Sequence, residues 1–115
     1  MGAKSTRKGA DGERELAALL REYGYPVERG GSLSFGEVPD LTGLPGVHIE
    51  CKRVEQLRPY SWLEQADRDA VCFGDGLPAV FFRRSRSPWL VVMKLEDWLK
   101  IYRTQSEPRK TAPSE

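Results

Sequence analysis

The sequence predicts a mixed α/β (α+β) domain in which a mixed central sheet is flanked by helices. Three observations predict it. Apolar residues recur at helical spacing near the start, as Leu16, Leu19, Leu20 and Tyr23. Strict alternation of period two runs from Val47 to Lys52. Helix-like and strand-like segments also take turns along the chain, which favours a sheet with helices against it. At 115 residues the chain has room for one such core, because a domain of this size buries roughly two-thirds of the surface its unfolded chain exposes.

The first helix is expected from Asp11 to Tyr23, with Gly24 as its stop. Val27 begins a short extended stretch, and Gly30, Gly31, Ser32 and Gly36 then make an irregular, flexible or ligand-facing loop. Pro39 to Thr42 and Val47 to Val54 read as two strands of a hairpin about the turn Gly43-Leu44-Pro45-Gly46. In the second of these, Val47, Ile49 and Cys51 face one way, and His48, Glu50 and Lys52 the other. One face packs; the other meets water or does chemistry.

Ser61 and Glu64 have the spacing of a capping box, opening a second helix to about Cys72 with Leu63, Ala66 and Ala70 on one face. Asp75-Gly76 closes that segment. Ala79 to Arg83 and Trp89 to Met93 form a second hairpin about a basic turn, and a last helix runs from Leu95 to Arg103. Residues 1–103 are therefore expected to form the domain, and 104–115, rich in Ser, Thr, Pro and charge, a flexible tail.

Composition excludes several classes. With 39% apolar and 30% charged residues, no apolar run approaches the roughly 18 residues of a membrane helix. No signal-peptide pattern follows Met1 to Ala10, so a reducing cytoplasm is expected. Cys51 and Cys72 are too few and too far apart for a zinc ligand set and are expected to be packed thiols. Net charge is only +1, but basic residues cluster around Lys4 to Lys8, Arg83 to Arg86 and Arg103 to Lys110, a placement suited to phosphate.

Asp40 and Glu50 fall on adjacent strands joined by a short turn, which can bring both carboxylates to one end of the sheet. Hard dications such as Mg2+ take oxygen ligands of this kind, with substrate phosphate completing the set. Lys52 lies two residues from Glu50 on the same face, placing an ammonium where phosphate charge builds up. Glu13, in the first turn of helix one, leans toward the face that meets the sheet and can add a third carboxylate. Lys8, Arg14, Arg53 and Arg68 could hold a phosphate backbone. Each piece has a plainer reading: a solvated Glu-Lys pair, a Pro-Asp turn, a helix-terminal Glu, ordinary surface charge. His48 reads as a peripheral or structural histidine. Trp62, Phe81, Phe82, Trp89 and Trp98 read as core or dimer contacts.

A helical Glu13, then Pro39-Asp40, then Glu50-Cys51-Lys52 in a strand is the order of the PD-(D/E)xK nuclease superfamily, which the sequence resembles. Arg7-Lys8-Gly9-Ala10-Asp11-Gly12-Glu13-Arg14 is similar to the opening of archaeal-type Holliday junction resolvases, where a Lys-Gly pair precedes a metal-site glutamate followed by arginine. On that match the glutamate is Glu13 and not Glu15. The stretch Leu44 to Glu55, with Gln65, Arg68-Asp69-Ala70 and Leu95-Glu96-Asp97-Trp98, resembles short resolvase-like proteins of phages and prophages.

The resemblance, spanning about Arg7 to Arg103, implies a restriction-endonuclease-like fold and a homodimer in a bacterial or phage-infected cytoplasm. It also implies hydrolysis of DNA phosphodiesters with Mg2+, Mn2+ being able to substitute, and a branched substrate such as a four-way junction. It assigns Asp40, Glu50, Glu13 and the Cys51 backbone carbonyl to the metal. Lys52 helps the attacking water, Gln65 is a polar residue against the site, and Ser32, with Ser34 competing for the place, is the family's loop serine. The alternatives are a flap, single-strand or general nuclease of the same fold, and a DNA-binding module without catalysis.

Overall fold

The computed structural model describes residues 2–30 and 39–105, with the side chains of residues 2–8 excepted. Eight elements follow in order: α1 (Gly2–Glu22), β1 (Glu28–Arg29), β2 (Leu41–Thr42), β3 (Val47–Arg53), α2 (Pro59–Phe73), β4 (Leu77–Arg83), β5 (Leu90–Val92) and α3 (Leu95–Gln105). The five strands lie side by side in chain order. All neighbours are antiparallel except β3 and β4, which run parallel in the register Val47↔Leu77 to Arg53↔Arg83. A parallel pair needs a long crossover, and α2 supplies it.

The two faces of the sheet are filled differently. On one, Leu16 and Ala17 of α1 close over Val27, Leu41 and Ile49, with Cys51, Phe81 and Trp89 packed around them. On the other, Trp62 and Ala66 of α2 lie over Val80 and Phe82 of β4. Because α2 seats itself on the apolar face of β4, the same face of β3, carrying His48, Glu50 and Lys52, is left to line a cavity beside it.

The expected order of elements and the mixed sheet hold, with differences at their ends. Helix α1 starts at Gly2 and not at Asp11. Its first turns carry no apolar stripe, so hydrophobic periodicity gave no signal there. Gly12 is buried where α1 crosses the end of β3, and a Cβ there would lie 2.6 Å from Arg53 Cβ. The Ser61–Glu64 capping box does not form. Helix α2 begins two residues earlier at Pro59, after Arg58 with no side-chain cap, because proline's fixed φ and missing N–H suit the first helical position. The helix stops at Gly74, in the left-handed conformation at φ 63°, and its buried residues are Trp62, Ala66 and Ala70, Leu63 being only half-buried. Ser32 and the 104–115 tail beyond residue 105 lie outside the described residues.

Candidate active site

Three pieces of backbone bring the acidic groups together. The Asp40 carbonyl accepts a 2.8 Å hydrogen bond from the Gly30 N–H, extending the β1–β2 ladder and holding Asp40 at the head of β2. Leu41 pairs with Ile49, which puts Asp40 and Glu50 on neighbouring strands. The turn at Gly76 (φ 135°) lies against the Gly46 backbone, and the Leu77 N–H donates to the Gly46 carbonyl at 2.8 Å, so Asp75 arrives beside the start of β3. The resulting cavity, about 210 Å³, is lined by Pro39, Asp40, His48, Glu50, Gln65, Asp69, Cys72 and Phe73. A larger apolar groove of about 540 Å³ lies between α2 and the β5–α3 junction and contains neither Asp40 nor Glu50.

Negative charge is crowded in the smaller cavity. Asp40 opens to solvent along one side, yet desolvation by the cavity wall pushes its carboxyl up from 3.8 to about 6. The carboxylates of Glu13, Glu50 and Asp69 push the same way, against Lys52. Glu50 is 6% exposed and His48 1%. His48 Nδ1 lies 2.9 Å from Asp75 Oδ1, and Nε2 lies 3.3 Å from Glu50 Oε1. Burial alone lowers the imidazole's affinity for a proton, but the hydrogen bonds to Glu50 and Asp75 and their charges outweigh it and raise the pKa from 6.5 to about 9.

The lysine side of the site is looser. Lys52 Nζ stands 3.5 Å from Gln65 Oε1, at the outer limit of a hydrogen bond, so a β3 residue and an α2 residue meet at the rim. Cys51 points to the other face, and burial followed by the charges of Glu13, Asp40, Glu50 and Glu15 pushes its thiol up to about 12. The thiol is neutral at physiological pH and offers no thiolate to a cation. Cys72 is exposed at the cavity wall, contrary to the expectation of a packed thiol.

Glu13 lies near enough to raise the Asp40 pKa, but it does not line the cavity and pairs with Arg29 at 3.0 Å. Its neighbour Glu15 is held by Arg83, by the Trp89 indole N–H at 3.1 Å and by Arg53 at 3.6 Å. Arg53 also reaches Glu55 at 3.5 Å. Arg14 is exposed and paired with Asp11 at 2.9 Å, whereas Arg68 is exposed and makes no ion pair with a described residue. The side chain of Lys8 lies outside the described residues.

The family described as "Phage putative PDDEXK endonuclease" matches residues 4–113. The chain belongs to this phage PDDEXK endonuclease family. Among solved structures it is similar to Hjc of Archaeoglobus fulgidus, a Holliday junction resolvase from an archaeal hyperthermophile. The two share 25% sequence identity over 75% of this chain and 72% of that one, with a TM-score of 0.55. No curated protein sequence matches the chain. The protein is thus a resolvase-like PD-(D/E)xK protein with the restriction-endonuclease-like fold, and a nuclease by family.

Sequence reasoning about this endonuclease missed Asp69, which lines the cavity, and Asp75, which stands behind His48, and it undervalued His48. One ligand atom each of His48, Glu50 and Asp69 lies within 4.8 Å of the others. Asp69 had a signal available, since it is four residues after Gln65 and shares its helix face. Asp75 had none, because its approach to His48 depends on how two glycine turns pack. Among the described residues no helix is long and apolar enough to cross a membrane.

Proposed function

We propose that the chain is a divalent-metal-dependent, structure-selective DNA endonuclease that resolves four-way junctions by paired phosphodiester hydrolysis. The observation that carries this reading is the meeting of Asp40 and Glu50 in one cavity, where desolvation by the wall and then the neighbouring carboxylates push Asp40 up to about 6, with Lys52 at the rim. Such a donor set fits a hard dication, which would offset the mutual repulsion. Asp40, Glu50, Glu13 and the Cys51 carbonyl would hold Mg2+ or Mn2+. When bound, the cation supplies Lewis acidity toward the phosphate and stabilises the leaving oxygen.

The protein's own groups do the rest. Lys52, steadied by Gln65, orients the attacking water and stabilises charge on the phosphate as it becomes five-coordinate. Ser32 is assigned the role of the family's serine before the Pro-Asp motif on the resemblance alone. Lys8, Arg14 and Arg68 hold the DNA backbone, and Arg53 contributes while tied to Glu15 and Glu55. Paired cuts need two sites, and a two-fold homodimer supplies them. Support for the dimer comes from the apolar side chains that β5 and α3 leave exposed, among them Leu90, Val91, Leu95, Trp98 and Tyr102.

The test is incubation of the purified protein and Mg2+ with a labelled four-way junction, a linear duplex and a flap, beside Asp40→Ala. Symmetric nicks confined to the junction and absent from the variant establish a resolvase. Cutting of every substrate makes it a general nuclease. Binding without metal-dependent cutting leaves a DNA-binding module.

A further inference from the structure

We infer that His48, Glu50 and Asp69 form a second cation site beside the Asp40–Glu50 set, one that takes a first-row transition-series dication such as Mn2+ or Co2+ in preference to Mg2+. The inference rests on the metal-dependent reading above, because Glu50 is common to both donor sets.

Position is the first support. The ligand atoms of the three residues lie within 4.8 Å of one another in the cavity, two from alternate positions of β3 and one from α2 across it. These are rigid elements, so the donors are held before any ion arrives. The second support lies outside the trio. Asp75 holds His48 Nδ1 at 2.9 Å, and the Phe73 ring is stacked against the imidazole at a centroid distance of 6.1 Å. A carboxylate on one ring nitrogen fixes the ring's orientation and turns the other nitrogen into the site, an arrangement that recurs behind metal-bound histidines. Nε2 is accordingly the nitrogen aimed at Glu50. The third support is Asp69, half-buried and without a hydrogen bond or ion pair to any described residue, so its carboxylate is available to a cation.

The identity of the cation follows from the donors. Mg2+ dehydrates reluctantly and prefers oxygen. An imidazole nitrogen with two carboxylates suits first-row transition dications, whose affinity for such mixed sites rises from Mn2+ to Co2+ and beyond.

The experiment uses the untagged full chain, in which His48 is the single histidine, so its imidazole signals are unambiguous. Co2+ is titrated in and followed by proton NMR and calorimetry, with Mg2+ as competitor. The expected result is a strongly contact-shifted, exchangeable N–H signal, the Nδ1 proton retained by Asp75, which disappears in His48→Gln and persists in excess Mg2+. Co2+ affinity should fall about tenfold or more in Asp69→Asn and about 10- to 100-fold in Asp75→Asn. Should His48→Gln fail to fold, Asp69→Asn, on the accessible side of α2, carries the affinity test.

Failure to bind Co2+, binding that leaves the His48 resonances without a contact shift, or unchanged affinity in Asp69→Asn overturns the site. Each of these results can accompany intact Mg2+-dependent cutting, in which case the nuclease reading stands without the second site. A contact-shifted His48 in a chain that cuts no DNA upholds the site and removes the nuclease reading.

Discussion

Two carboxylate clusters lie on opposite faces of β3, and they are solved differently. On the α1 face, Glu15 is met by the guanidinium groups of Arg83 and Arg53 and by the indole of Trp89. On the α2 face, Asp40, Glu50, Asp69 and Asp75 have, among the described residues, Lys52 and His48 as their nearby cations. The first cluster is neutralised by the fold itself, so it joins α1 to the ends of β3 and β4. The second keeps an excess of negative charge, which costs stability in the metal-free chain and becomes useful only when a cation arrives. Glu13, two residues before Glu15, stands between the two cases: it has one partner, Arg29, and still acts on Asp40.

The contrast can be broken most directly by removing one carboxylate from each side. Glu50→Ala should lower the DNA cleavage rate about a thousandfold or more, with the folded state retained by circular dichroism. A variant that folds and still cuts at a tenth of the parent rate or better would remove Glu50 from the site.

The next effect concerns pH. In the metal-free protein His48 has a pKa raised from 6.5 to about 9, so folding favours its protonated form. Its contribution is fully present below about 6.5 and is lost as pH rises through about 9, a change of about 3 kcal/mol at most. Denaturant unfolding across that window should show this loss in the parent and a flatter profile in His48→Gln. Equal slopes in both would mean that the imidazole is not held as a cation by Glu50 and Asp75.

On the satisfied face, Glu15→Ala should cost about 2 kcal/mol of stability by stranding Arg83 and the Trp89 N–H. It should leave the cleavage rate of the folded fraction within about threefold of the parent. Equal stability with lost activity would exchange the roles assigned to Glu13 and Glu15.

The smallest effect has the opposite sign. Asp40 carries a raised pKa, so its ionised form opposes folding, and that penalty grows as pH rises from 3.8 through about 6. Asp40→Asn should therefore stabilise the metal-free protein at pH 7 by about 1 kcal/mol, allowing for solvent screening at a partly open carboxylate. Thermal melts in chelator would show it. A destabilised variant would mean that the Asp40 charge is already compensated in the absence of metal.

Much of this molecule was legible in one dimension. The alternation through β3 assigned Ile49 to a core and His48, Glu50 and Lys52 to the other face, and the order of segments called for a mixed sheet. Such patterns survive in sequence because a strand's side chains take opposite faces by covalent geometry. Helix starts were less legible. The polar first turns of α1 have no stripe, and at α2 Pro59 opened the helix ahead of a plausible cap at Ser61.

What the sequence determined by itself was therefore the kind of domain and the face of β3 that carries His48, Glu50 and Lys52, since these depend on local periodicity and short spacings. Only the tertiary structure decided which of those charges are satisfied. The approach of Asp75 to His48 across 27 residues, of Asp69 to Glu50 from a crossover helix, and of Arg83 to Glu15 across 68 residues depends on parallel register and on where two glycine turns touch. Electrostatic energy falls with distance in space and not along the chain, so the same acidic side chain is a clamp on one face and a ligand candidate on the other.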